Sequence, residues 1–263
     1  MSEVEKEILE QTKGVAVEVY KDVASPIVKP IGEILGFLPR TLKLALSGWE
    51  KWLINGEESL RLTAEAIKEK VKQIPENKLV EPEPYVAIPA IQQICYCQNS
   101  DELRDLYANL LTASMNADKK WQVHPSFVDI IKQITPDEAK IIKSLPNFKN
   151  SFLPVIDVKL FDKDKTAKGH QILLTNFTTV GLDNIENKAN ICSYIDNLVR
   201  LNIIEIPPTY HLIDESLYQP LEQSTILDQL IPNVYKEIYD IKYNHKIIVI
   251  TNFGLIFKQI CCP

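Results

Sequence analysis

Four prolines, Pro75, Pro82, Pro84 and Pro89, crowd into residues 75–89 of a chain that otherwise reads as one amphipathic helix after another. Proline has a fixed φ and no amide hydrogen, so this segment reads as an extended, semi-rigid linker that divides the chain. Three parts follow: a helical arm over residues 1–78, the linker and a helical middle over 79–133, and a C-terminal module over 134–263. The chain has 263 residues, 45% of them apolar, which is enough to build one large core or two small ones. Eight glycines and no repeat of fixed period exclude fibrous and low-complexity architectures.

Within the arm, Ile31, Ile34, Leu35, Leu38, Leu42, Ala45, Leu46, Trp49 and Leu53 recur at steps of three and four. Such spacing lays one apolar stripe along a helix over residues 31–54, which Pro39 kinks or splits. Glu33, Arg40, Lys43, Glu50 and Lys51 interrupt the stretch, so it is too charged to span a bilayer. The surface expected to meet a partner or a membrane is therefore Leu35, Leu38, Leu42, Leu46, Trp49 and Leu53. Two uses stay open: packing against the core or a second copy, and lying in a membrane interface with Trp49 and Trp52 beside Lys43 and Lys51. A second helix over 57–74 buries Leu60, Ala64, Ile67, Val71 and Ile74. Its Lys68, Lys70 and Lys72 alternate with Glu65 and Glu69 as a solvated face.

Beyond the linker, residues 90–97 read as a helix, and Ser100 or Asp101 caps another over 102–115. A helix opening at Pro125 buries Phe127, Val128, Ile131 and Ile134, and His124 before it reads as a capping or packing residue. Thr135-Pro136-Asp137-Glu138 begins the next helix, with a threonine cap, proline in the first turn and acids at the positive end of the dipole. Periodicity then shifts towards two over 155–161 and 170–177, which predicts a hairpin with a long turn. Residues 190–201 return to helix with Ile191, Ile195, Leu198 and Val199 inward, and Asn202 suits a left-handed cap. A short strand over 203–206, an insertion over 209–243 that is helical between 227 and 239, a strand over 246–251 and a helix over 253–261 complete the chain. The expected fold is mainly α: a helical arm, a helical middle, and a C-terminal winged-helix-like α+β module carrying a β-hairpin.

Charge restricts the partners. Lys and Arg number 29 against 35 Asp and Glu, a net charge of −6, so nothing draws the whole protein onto a polyanion. The helix that would read DNA in a winged helix has only Lys188 and Arg200 around it, set against Glu186, Asp196 and Glu205. Nucleic acid is therefore not the expected partner, and a DNA-binding regulator of a defence locus stands as the alternative reading. The acidic first ten residues do not look like a secretory signal, and the five cysteines read as reduced thiols of a cytoplasmic protein. Cys95 and Cys97 have no second pair near His124, His170, His211 or His245, so no metal is expected. Phosphate loops, dinucleotide fingerprints, zinc-protease helices and nucleophile elbows are absent from the sequence. The acid pairs Glu57-Glu58 and Asp137-Glu138 belong to helix starts. No catalytic residue, cofactor or metal ligand is therefore expected.

Four blocks carry a resemblance: LRDLYANLLTASMN at 103–116, VHPSFVDIIKQITPDEAKII at 123–142, YIDNLVRLNIIEI at 194–206 and ITNFGLIFKQIC at 250–261. In order and spacing they resemble the abortive infection alpha family of bacterial proteins, over roughly residues 30–263. This chain departs from the pattern at Asn202, where glycine is usual, and at Asn252, where proline is usual. The resemblance implies resistance to bacteriophage through sacrifice or growth arrest of infected cells, and it implies no catalytic residue. The expectation is a non-enzymatic defence protein. Its C-terminal module would sense a protein partner or phage trigger, and its arm would drive self-association into a homo-oligomer or a peripheral membrane contact.

Overall fold

The computed structural model describes residues 53–97, 99–148, 151–164 and 169–263, with the backbone alone for 53–58. The arm surface at Leu35, Leu38, Leu42, Leu46 and Trp49 lies outside the described residues, and Leu53 is described only as the first residue of a helix. The chain forms two compact units, one ending at Trp121 and one beginning at Gln122.

Among the described residues, the first unit packs three helices, α1 (Leu53–Val71), α2 (Pro84–Ile94) and α3 (Asp101–Ser114), each against the other two. Its core is Ala64, Val86, Ala87, Ala90, Ile91, Ile94, Leu106, Tyr107 and Leu110. Small residues on α2 let the helices approach, and Ser59 Oγ donates to the Ile94 carbonyl at 2.6 Å across that contact. Ser100 is the cap of α3, its side chain accepting from the Leu103 amide, as its sequence position predicts.

The proline segment is extended only between Leu79 and Glu83, not over the whole of residues 75–89 as its composition predicts. A 3-10 turn occupies Glu76–Lys78, and Val80 N bonds to Met115 O at 2.9 Å. From Pro84 the chain is helical, six residues before the expected start at residue 90. Pro84 stands in the first turn, where no intrahelical amide bond is needed. Pro89 lies inside α2 and withdraws one bond, a loss offset by burying Val86, Ala87, Ala90, Ile91 and Ile94. Tertiary burial overrides local punctuation here.

The second unit combines helices with one antiparallel sheet. Its elements are α4 (Ser126–Lys132), α5 (Pro136–Ser144), β1 (Phe152–Asp162), β2 (Gln171–Phe177), α6 (Ile191–Arg200), β3 (Ile204–Glu205), α7 (Gln219–Glu222), α8 (Thr225–Leu230), α9 (Asn233–Ile238), β4 (Tyr239–Ile250) and α10 (Asn252–Cys261). The four strands run in the order β2-β1-β4-β3 with every pairing antiparallel. The β1–β2 hairpin, α6 and α10 fall where sequence periodicity places them, and Asn202 has φ +58°. Among the described residues, the chain therefore has helices in both units and one four-stranded sheet towards its C-terminus.

Two elements differ from expectation. The insertion forms short pieces, Glu215–Tyr218 as a 3-10 turn followed by α7, α8 and α9, rather than one helix over 227–239. Pro232 stands between α8 and α9 and supplies no amide to continue the first. The last strand begins at Tyr239 rather than 246, because Ile241, Tyr243 and His245 alternate with Lys242, Asn244 and Lys246 along its half-exposed end. Among the described residues, no helix is long and apolar enough to cross a membrane.

Candidate functional site

In the second unit, polar side chains converge where α6 lies between α5 and β2. Thr135 begins α5 with a capping box: its hydroxyl accepts from Glu138 N at 3.2 Å, and Glu138 Oε2 accepts from Thr135 N at 2.6 Å. Glu138 Oε1 accepts in turn from Asn197 Nδ2 of α6 at 2.6 Å. Next to it, the buried Asp137 takes the Glu186 and Asn187 amides, each at 2.9 Å, and the Tyr194 hydroxyl at 3.2 Å. Burial pushes the Asp137 carboxyl up, and these three donors together with Lys140 outweigh it and leave the group below its ordinary value. The acid pair at this helix start thus holds α6 and the segment before it, beyond any effect of the dipole.

The helix that would read bases in a DNA-binding winged helix has Tyr194, Asp196, Asn197 and Arg200 engaged within the unit. Tyr194 and Asn197 donate to α5, Arg200 donates to Asn197 Oδ1 and to Gln133 Oε1 at 3.0 Å, and Asp196 accepts from Asn176 at 2.6 Å. A base reader needs such groups free to face a groove.

On the sheet face towards Asp196, the Lys246 ammonium of β4 pairs with Asp157 Oδ1 of β1 at 2.6 Å, and both side chains are largely buried. Lys246 also donates to Asn176 Oδ1 at 2.6 Å, and Asn244 Nδ2 reaches Asp157 Oδ2 at 3.3 Å. Asn176 holds φ +60° where β2 bulges, and its amide donates to Asp157 Oδ1 at 3.0 Å. The pair and its neighbours join β1, β2, β4 and α6 into one bonded cluster. Cys192 of α6 stands near them; burial, then the Asp196 and Asp157 charges, push its thiol up to about 11, so it is protonated and unreactive at neutral pH.

The opposite face of β4 carries His245. Its Nε2 meets Glu222 Oε1 of α7 at 2.6 Å, and its ring lies parallel to that of Tyr218 at 4.0 Å. The Tyr218 hydroxyl donates to Lys246 O at 2.9 Å and accepts from Leu212 N at 2.9 Å. These contacts fasten the insertion to the sheet.

Elsewhere, His124 Nδ1 meets Ser126 Oγ at 2.6 Å and its ring packs on Phe253 at 5.9 Å, the packing alternative of its expected capping or packing role. Lys258, a lysine in the core, donates its ammonium to Lys143 O at 2.9 Å and to Leu145 O, at the C-terminal end of α5. Burial pushes the Cys97 thiol up to about 11 and also raises the Cys261 thiol well above its ordinary value. Among the described residues, no three His, Cys, Asp or Glu side chains gather as a metal site would need. Every buried side-chain nitrogen or oxygen there has a hydrogen-bond partner.

Sequence reasoning found Thr135, Asp137 and Glu138 as a helix start but missed Asp157, Asn176, Lys246 and the Tyr218–His245–Glu222 group. A lone acid within the apolar run Val155–Asp157–Leu160 was the one local signal, and its cation lies far along the chain. The arm surface expected at Leu35, Leu38, Leu42, Leu46 and Trp49 lies outside the described residues.

Residues 55–261 match the model of a family described as abortive infection alpha. Among curated proteins and among solved structures, nothing matches the chain.

Proposed function

The chain belongs to the abortive infection alpha family, and from that premise we propose that it is a non-enzymatic anti-phage protein with a sensing module and an effector arm. The match over residues 55–261, a family associated with bacteriophage resistance, carries this reading. The C-terminal unit is the sensing part and takes a protein partner or phage trigger. Its element order, helix α5, hairpin, α6, and the paired β3 and β4 flanking an insertion, supports a winged-helix-like ancestry. The internal engagement of Tyr194, Asn197 and Arg200 supports a protein partner over DNA. The arm, with Leu35, Leu38, Leu42, Leu46, Trp49 and Leu53 on one stripe, self-associates or engages a membrane surface.

Survival after high-multiplicity infection tests the reading in cells carrying the full chain or Leu42→Glu. The full chain reduces plaques while infected cells die. The variant, with a charge on the stripe, loses protection while the purified protein keeps its melting transition. Protection retained by Leu42→Glu removes the arm from the mechanism, and no protection by either chain against a broad phage panel removes the defence reading.

A further inference from the structure

The C-terminal unit exposes two surface features that the clusters above do not use, and their chemistry is complementary. The first is the loop before α7. Ile213 is 99% exposed, with Tyr210 at 63% and Leu217 at 48% close by in the chain. The loop that carries it is held. Leu212 N bonds to the Tyr218 hydroxyl, and Asp214 Oδ1 accepts from Ser216 N at 3.0 Å and Ser216 Oγ at 2.6 Å. Asp214 and Glu215 are exposed directly after Ile213, and Glu215 has no ion pair among the described residues. A fixed loop thus presents one aliphatic side chain with two carboxylates next to it.

The second feature is the outer end of the β1–β4 ribbon. Lys159 and Lys242 are direct partners in the ladder, so two ammonium groups share one face. Like charges placed opposite in a sheet repel, and an anion from outside relieves the repulsion. Lys242 lies over the Phe161 ring at 4.7 Å, and His170 stacks on the same ring at 5.2 Å. Ile172 of β2, the partner of Lys159, is 57% exposed. Asp240, opposite Phe161, shares this face without pairing with either lysine.

We propose that these surfaces bind each other between two copies of the chain. The Ile213 loop of one copy docks on the ribbon face of the next, with Ile213 against Phe161 and Ile172, and Asp214 and Glu215 against Lys159 and Lys242. Both halves of the contact are present in one chain, which favours a second copy over another protein. Asp214 and Glu215 repel phosphate, which disfavours nucleic acid and anionic lipid at this loop. Exchanged reciprocally, the two surfaces close a two-fold dimer, and used one way they close into a ring or extend. This names a second copy as the partner in the reading above, and rests on that reading only for its consequence during infection.

Sedimentation velocity of the purified full chain over a range of concentrations tests it. The expected result is a mass that grows with concentration and falls back in high salt. Lys242→Glu and Glu215→Lys, both at exposed positions, each weaken association about ten-fold, and the double variant restores most of it by re-forming the pair with reversed sign. A monomer at every concentration, single variants that associate like the parent, or a double variant no better than the singles would each overturn the proposal. Association abolished by Leu42→Glu yet blind to both charge reversals would overturn it too, while leaving the arm reading standing.

Discussion

Gly254 lies so close to the backbone of Ile203 that a Cβ at this position would overlap the Ile203 carbonyl group. The approach is set by Thr251, whose amide donates to Ile203 O at 3.1 Å and whose hydroxyl donates to Asn202 O at 2.6 Å and accepts from Gly254 N at 2.8 Å. The first turn of α10 is thereby seated on the chain entering β3, and a side chain cannot fit between them.

Gly254→Ala is therefore expected to destabilise the second unit by about 2 kcal/mol or more, since backbone has to move to admit the methyl group. Urea unfolding of the purified variant measures the loss, and an unchanged midpoint would show that the two segments separate without cost.

Asp137 supplies a pH dependence. Its carboxyl is raised by burial but lowered further by the Glu186 and Asn187 amides, Tyr194 and Lys140, so its folded value is depressed. A depressed carboxylate stabilises the fold above its unfolded value of about 3.9 and loses that contribution as pH falls through the folded value. Asp137→Asn is expected to cost about 1–3 kcal/mol at neutral pH and to flatten the acid limb of the stability curve. Curves that stay parallel for parent and variant down to acid unfolding would contradict this.

The Asp157–Lys246 pair is expected to show strong non-additivity. Lys246→Met leaves a largely buried carboxylate without its cation and costs about 3 kcal/mol or more, whereas removing both charges costs less than the two single changes together. A thermodynamic cycle over the four proteins reads the coupling directly, and additive losses would mean that the pair holds no register between β1 and β4.

Tyr218→Phe keeps the ring on His245 but removes the hydroxyl that serves Leu212 N and Lys246 O. A loss of about 1 kcal/mol is expected, concentrated in the loop before α7. Hydrogen exchange checks this at the Leu212 amide, whose protection should fall while that of α5 and α6 holds; equal protection in both proteins would sink the idea.

Legibility in the sequence tracked distance along the chain. The Thr135–Glu138 box spans three residues, and the helix it starts was readable because both bonding partners and the acids of the first turn are local. The stripe Ile191, Ile195 and Leu198 gave α6, and the alternation over 155–161 and 170–177 gave the hairpin, since each needs only the period of the side chains. Lys258 was not recognisable as a core residue, because the carbonyls that receive its ammonium, Lys143 and Leu145, belong to the end of α5 and the residue after it, far along the chain.

The sequence by itself determined where most helices and strands lie and which faces they bury, because these follow from spacing and caps within a few residues. It also carried the family in its four blocks. Only the tertiary structure decided that Pro84–Ile94 is helix, that Asp157 meets Lys246, and that Tyr218, Glu222 and His245 stand together. Those outcomes depend on burial and on the register between β1 and β4, where partners far apart in the chain are brought within bonding distance by packing alone.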